Sequence, residues 1–159
     1  MKLYIKQKVF SWRDRFSVCD GRSEPCYTVE GEIFTWGRKL HIRDMAEREL
    51  AFIQQKLMSW LPRYQIFIDG TMAAEVVREL SFFRPRYAIP GPGWSVTGDF
   101  WEHDYDVVHG TVPVFTVRKE WLTWGDCYTL DIFDPKNELL SLSVALAIDA
   151  VTSRETAPA

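Results

Sequence analysis

The side chains best suited to chemistry cluster between residues 102 and 109, where three carboxylates and two imidazoles occur. Groups of this kind bind zinc, or calcium when the ligands are oxygens alone. On a strand, however, alternate residues face opposite sides, so Glu102, Asp104 and Asp106 share one face while His103 and His109 share the other. We therefore predict a solvated acidic face here, with no metal site.

Nucleophilic catalysis finds little support in the sequence. There is no Gly-x-Ser-x-Gly elbow, no Cys/His signature and no glycine-rich phosphate loop with its lysine. The cysteines Cys19, Cys26 and Cys127 are odd in number and form no Cys-x-x-Cys pair, so we predict free thiols and a reducing compartment. Because Lys6 and Lys8 interrupt the first apolar run, no signal peptide is expected and the predicted location is the cytoplasm. We predict no catalytic residues and no cofactor.

The basic candidate site lies near the N-terminus. With a net charge of −3, the chain as a whole attracts no anion, so any such site must be a local patch. Lys6, Lys8, Arg13 and Arg15 form one, which could contact the phosphate groups of an anionic lipid. The alternative is that these lysines, with Lys2, only protect an exposed strand surface. Nucleic acid is not an expected partner, because no basic residues alternate with aromatic ones.

The elements around these candidates are mainly short strands, recognised by alternating apolar residues between turn signals such as Asp20-Gly21 and Asp69-Gly70. The aromatic content of 14% also favours strands. The segments with the clearest alternation are Lys2–Val9, Phe16 to Val18, Leu40 to Ile42, Tyr64 to Ile68, Val112–Val117 and Tyr128–Ile132.

Tryptophan recurs at equal spacing before three of these strands, at Trp12, Trp36 and Trp60, and again at Trp124. One interpretation is an internally duplicated β meander, joined near residues 84–93. The alternative is that any series of strands and turns produces partial matches to itself.

The pattern changes near the C-terminus. Asp134-Pro135 is typical of a helix start, and residues 139–151 are apolar in every direction around a helix, with Ser141, Ser143 and Asp149 as the polar exceptions. Such a helix must be buried, and this segment is too short to cross a bilayer. A helix buried on all sides needs a wall on all sides, which predicts a closed β-barrel around it.

The chain resembles the LURP-one-related family across residues 1–152. The resemblance is carried by the opening Met1-Lys2-x-Tyr4, by Val29-x-Gly31-Glu32, by the segment from Gln55 to Tyr64 and by the ending Leu146-Ala147-Ile148-Asp149. It implies a tubby C-terminal-like fold, in which about twelve antiparallel strands close around a hydrophobic C-terminal helix. The tubby proteins and the phospholipid scramblases share that fold. The predicted organisation is one domain over residues 1–152, followed by a flexible tail over 153–159.

Because this family has no established enzymatic activity, the resemblance implies a non-enzymatic binding or scaffold domain. The expected partner is an anionic phospholipid surface or another protein. A hydrolase-type enzyme, with a site assembled from separate loops, is the alternative.

Overall fold

A computed structural model describes residues 1–7, 15–32, 36–120 and 126–155. Within them the chain forms twelve strands, a single turn of 3-10 helix and one α-helix, α1. The strands are β1 (Lys2–Gln7), β2 (Phe16–Cys19), β3 (Pro25–Glu32), β4 (Lys39–Arg43), β5 (Glu49–Gln55), β6 (Arg63–Ile68), β7 (Thr71–Glu79), β8 (Arg86–Ile89), β9 (Trp94–Asp99), β10 (Asp104–His109), β11 (Val112–Glu120) and β12 (Asp126–Ile132).

These strands form one closed barrel in which every strand is antiparallel to the strand before it in the chain. β1 closes the barrel by pairing with β12, with Leu3 opposite Leu130. In a barrel of this kind, the connections from odd to even strands all meet at one end, and those from even to odd strands meet at the other. The predicted closed antiparallel barrel is confirmed.

The α-helix fills the interior of the barrel. The Asp134 carboxylate accepts a hydrogen bond from the Lys136 backbone N–H at 3.0 Å, which caps the 3-10 turn Pro135–Asn137. α1 (Glu138–Glu155) follows directly. Its described side chains from Ser141 to Thr152 are all buried. The predicted buried helix is therefore confirmed, and no helix among the described residues is long and apolar enough to cross a membrane.

Two serines in this helix show how it tolerates burial. The Ser143 hydroxyl donates to the Leu139 carbonyl at 2.7 Å, which satisfies it within the helix itself. The Ser141 hydroxyl is also buried, but it has no hydrogen-bond partner in the described structure. Ser141 therefore occupies its buried position at the cost of one hydrogen bond that is not made.

The six strands recognised from alternation are confirmed wherever they fall within the described residues. Each strand points one set of side chains towards α1, including the fully buried Ile5, Ile42, Ile66 and Leu130. Trp36 and Trp60 precede β4 and β6, as the recurring pattern predicts, whereas Trp12 and Trp124 lie outside the described residues. The internal duplication stays a prediction.

Because α1 is the centre of the core, we expect Leu146→Asp to prevent the protein from folding. Leu146 is completely buried, so its replacement places an unpaired charge among apolar side chains. Thr111→Asp adds the same charge at an exposed turn and should leave the melting temperature nearly unchanged. Circular dichroism melting of both variants tests this. A cooperative transition for Leu146→Asp near that of the unaltered protein would contradict the barrel-around-helix arrangement.

Candidate functional site

The end of the barrel that carries the odd-to-even connections is unusually aromatic. Its described connections are residues 15, 36–38, 56–62, 80–85 and 100–103, which together we call the aromatic end. Four large side chains there are almost fully exposed: Trp36 at 90%, Trp60 at 93%, Phe82 at 101% and Phe83 at 97%. Isolated exposed apolar residues are common on proteins, but a cluster on one end of a barrel marks an interaction surface.

Further apolar side chains enlarge this surface. Leu57, Met58, Leu80 and Trp101 are all exposed on the same connections. The loop over residues 56–62 also encloses a concavity of about 400 Å³, whose inner wall includes Val151 of α1. The aromatic end therefore combines projecting aromatic rings with a shallow depression beside the end of the central helix.

Charge is unevenly divided between the two ends of the barrel. The described connections of the aromatic end carry four basic residues, Arg15, Arg38, Lys56 and Arg84, and one acidic residue, Glu102. The opposite end, which we call the acidic end, comprises residues 20–24, 44–48, 69–70, 90–93, 110–111 and 133–134. It carries six acidic and two basic residues. The chain is thus electrically polarised along the barrel axis, although its net charge is small.

The predicted N-terminal basic set is only partly visible. Lys6 is exposed on the outer wall of the barrel, where it lies opposite Cys127 of β12. Arg15 is also exposed, but its guanidinium forms an ion pair with Glu47 of the acidic end. Lys8 and Arg13 lie outside the described residues. Of the two described members, Arg15 is therefore already neutralised, although it closes the β1–β2 connection at the aromatic end. Lys6 lies on β1 itself, not on a connection.

In the segment with three carboxylates and two imidazoles, strand alternation predicted only some of the side-chain directions correctly. Asp104 and Asp106 do face outwards, where they pair with the Arg118 guanidinium at 3.3 and 2.6 Å. His109 is exposed at the far end of β10. His103, in contrast, lies in the turn before the strand, and it points inwards.

The turn that holds His103 requires positive φ angles at two residues. Gly98 has a φ of 124°, and a Cβ at that position would lie 2.6 Å from the Asp104 carbonyl oxygen. His103 itself has a φ of 53°, in the left-handed region. This tight turn folds the imidazole over the interior of the barrel, where it stacks on Tyr128 with ring centroids 4.7 Å apart.

There His103 Nε2 lies 2.7 Å from the Asp149 carboxylate of α1. Asp149 is 4% exposed, and its second carboxylate oxygen has no partner in the described structure. Burial, together with this carboxylate, raises the pKa of Tyr105 and Tyr128 well above the ordinary tyrosine value. The two phenols therefore stay neutral, and His103 is the side chain that contacts the Asp149 carboxylate.

The three cysteines are free, as predicted. Cys19 and Cys127 are buried, while Cys26 is half-buried and its thiol lies 3.3 Å from the Val18 carbonyl oxygen. Burial raises the pKa of Cys26 to about 11, and the nearby Glu138 carboxylate adds to the effect. Burial likewise raises the pKa of Cys127. These environments favour inert thiols, because the thiolate is the reactive form.

We accordingly expect Cys26 to react slowly with iodoacetamide at pH 8, since its thiol is almost entirely protonated there. Its alkylation rate should keep rising as the pH approaches 11. Mass spectrometry of the alkylated protein provides the measurement, and full labelling of all three cysteines in denaturant without reductant is the reference. Recovery of only one reactive thiol in denaturant would mean that two are joined as a disulfide.

His103 and Asp149 form a buried pair, and the contribution of each to the free energy of unfolding should depend on the presence of the other. His103→Phe keeps a ring beside Tyr128 but leaves the buried Asp149 carboxylate without its partner, so it should lower the free energy of unfolding by about 3 kcal/mol. The double variant His103→Phe/Asp149→Leu removes both partners and should lose less than the two single variants combined. Urea unfolding of the unaltered protein, the two single variants and the double variant gives the coupling free energy between the two side chains. Strictly additive losses would show that the pair does not act as a unit.

Comparison with known proteins agrees with this architecture. The model of the LURP-one-related family matches residues 1–149. The uncharacterized protein YxjI of Bacillus subtilis (strain 168) is 36% identical over 151 residues, which cover 95% of this chain and 93% of that protein.

Among solved structures, an X-ray structure of an Arabidopsis thaliana protein superimposes with a TM-score of 0.62. The alignment covers 94% of this chain and 90% of the plant chain at 13% sequence identity, so the likeness concerns the fold alone. The family match, in contrast, spans nearly the full sequence. The chain belongs to the LURP-one-related family.

Proposed function

We propose that this chain is a non-enzymatic docking domain that binds anionic phospholipid membranes through its aromatic end. The observation that carries the proposal is the almost complete exposure of Trp36, Trp60, Phe82 and Phe83 on one end of the barrel. Exposing four large aromatic rings to water is unfavourable, and inserting them into a less polar phase removes that cost. A lipid surface supplies such a phase without requiring a matching groove.

The types of residue favour a membrane interface in particular. Trp combines an apolar ring with an N–H group and is enriched at the boundary between lipid and water. Lys56 and Arg84 lie on the same connections as Trp60 and Phe82. Aromatic rings that insert, next to cations that meet phosphate, match the two layers of an anionic membrane surface.

Polarisation of the barrel then determines how it docks. The acidic end is repelled by anionic lipid while the aromatic end is attracted. The barrel axis should therefore lie along the membrane normal, with the aromatic end facing the lipid. The cytoplasmic leaflet is the anionic one in cells, and this agrees with the cytoplasmic location that we expect from the sequence.

The shape of the aromatic end supports docking over catalysis. An enzyme site is expected as a deep pocket with converging polar groups. The concavity beside Val151 is open, and most of its lining comes from one loop with apolar side chains such as Leu57, Leu61 and Pro62. We therefore assign no catalytic residues.

Co-sedimentation with vesicles tests the proposal. The unaltered protein should bind vesicles that contain phosphatidylglycerol more tightly than vesicles of phosphatidylcholine alone, and binding should weaken as salt rises. Lys56→Gln/Arg84→Gln should cost about 2 kcal/mol of membrane affinity, at about 1 kcal/mol per basic residue. Trp60→Ser/Phe82→Ser/Phe83→Ser should remove most of the binding at every salt concentration, because it removes the inserted rings.

Lys6→Gln/Arg15→Gln is the matched control, since it removes the same charge at positions away from Trp60, Phe82 and Phe83, and Arg15 is already paired with Glu47. It should have a smaller effect. A larger effect of this control than of Lys56→Gln/Arg84→Gln would place the contact at the N-terminal basic set instead. If the unaltered protein fails to bind anionic vesicles at low salt, the membrane proposal is wrong and a protein becomes the expected partner of the aromatic end.

A further inference from the structure

A second surface lies on the outer wall of the barrel, away from the aromatic end. Cross-strand pairing aligns one row of outward side chains from β3 to β7, with each member opposite the next. The row is Glu30, His41, Phe52, Phe67 and Met72. Its centre is aromatic, whereas the solvent-facing side of an antiparallel sheet usually carries polar residues.

The two phenylalanines form one wall of a groove. Their ring centroids are 6.1 Å apart, with the planes inclined by 36°. The groove has a volume of about 370 Å³, which is within the range of sites that hold small ligands or single side chains. Gln54 also lines it, so the floor of the groove is only partly apolar.

Two carboxylates border the same groove, Glu49 and Asp69. Glu49 contacts His41 Nδ1, and the His41 ring in turn lies 5.0 Å from the Phe52 ring. Asp69 is exposed in the turn between β6 and β7, and both carboxylates lie towards the acidic end of the barrel. The groove therefore joins aromatic faces to negative charge, in a region where the wider potential is also negative.

We propose that this groove binds an organic cation: an alkylguanidinium or alkylammonium group, either as a free small molecule or as an Arg or Lys side chain of a peptide. The negative face of an aromatic ring attracts a cation, and the carboxylates add a charged hydrogen-bond acceptor. Anions are repelled by Glu49 and Asp69, and a neutral ligand lacks the charge attraction that these carboxylates offer a cation. This site is independent of membrane docking, because its lining residues are not part of the aromatic end.

Nuclear magnetic resonance titration tests the site on the full chain. N-ethylguanidinium should shift the backbone amide signals of Phe67, Asp69 and Gly70 in a saturable manner, whereas N-ethylurea, which is similar in shape but neutral, should not. A short peptide that contains one arginine, compared with its citrulline counterpart, distinguishes the sources. Tighter binding of the arginine peptide than of N-ethylguanidinium points to a peptide, and equal affinity points to a free cation.

Single substitutions measure the contribution of the carboxylate charge and of the aromatic ring separately. Asp69→Asn should weaken N-ethylguanidinium binding about fivefold, because it removes one charge while asparagine tolerates the local φ of 49°. Phe67→Leu should weaken it about threefold by removing one ring face. Glu24→Gln is the matched control, since it removes an exposed charge of the acidic end outside the groove and should change affinity little.

Two results would overturn the proposal. If N-ethylurea shifts the same signals with the same affinity as N-ethylguanidinium, the groove does not select cations. If neither probe produces a saturable shift at Phe67 and Asp69, the groove is not a site for this class of ligand. Vesicle binding should be the same for Phe67→Leu and the unaltered protein, so failure of this inference leaves the membrane proposal intact.

Discussion

Burial of a helix that is apolar on every side is the constraint on which the rest of this structure depends. α1 has no polar stripe to present to water, so the strands must surround it completely. A closed barrel of consecutive antiparallel strands meets this need with short connections. The same closure places α1 in the barrel interior, where its side chains from Ser141 to Thr152 are all buried. The surfaces that we propose as sites lie at one end of the barrel and on its outer wall.

Closure also separates the connections into two groups with different chemistry. The acidic end consists mainly of short polar turns, such as Asp69-Gly70, whereas the aromatic end has longer loops tipped with Trp60, Phe82 and Phe83. Among the described residues, two polar contacts link the aromatic end to α1: His103 meets Asp149, and the Arg38 guanidinium donates to the Ala150 carbonyl at 3.0 Å. Because leaving a buried carboxylate without its partner is costly, the His103 contact holds the turn with Trp101 in a defined position against the helix.

Much of the fold could be predicted, because its main determinants are local. Alternation in the segment from Tyr64 to Ile68 is a property of neighbouring residues, and so is the unbroken apolar character of α1. A helix of this kind must be surrounded on all sides, and a closed barrel is the structure that surrounds it. The strands β8 and β9 were not recognised individually, since they are short and flank the Pro- and Gly-rich residues 90–93.

The sites were harder to foresee, because they depend on contacts between distant residues. His103 and Asp149 are brought together only when α1 enters the barrel. The one available signal was Asp149, the single carboxylate of the largely apolar residues 139–151, which needs a buried partner. Recurring tryptophans were visible in the sequence, but their placement at one end depends on the closure of the sheet. The same holds for the pairing of Arg15 with Glu47, which weakens the case for the N-terminal basic set.

The most direct test of the account is to observe which tryptophans meet the lipid. The seven tryptophans can be labelled with 5-fluorotryptophan and assigned by single Trp→Phe changes, and their ¹⁹F signals recorded with the protein bound to anionic nanodiscs. Lipids that carry a nitroxide on the acyl chain should broaden the signals of Trp36 and Trp60, while the buried Trp94 stays sharp. If the protein binds but Trp36 and Trp60 remain as sharp as Trp94, the aromatic end does not face the membrane, and the central claim is contradicted.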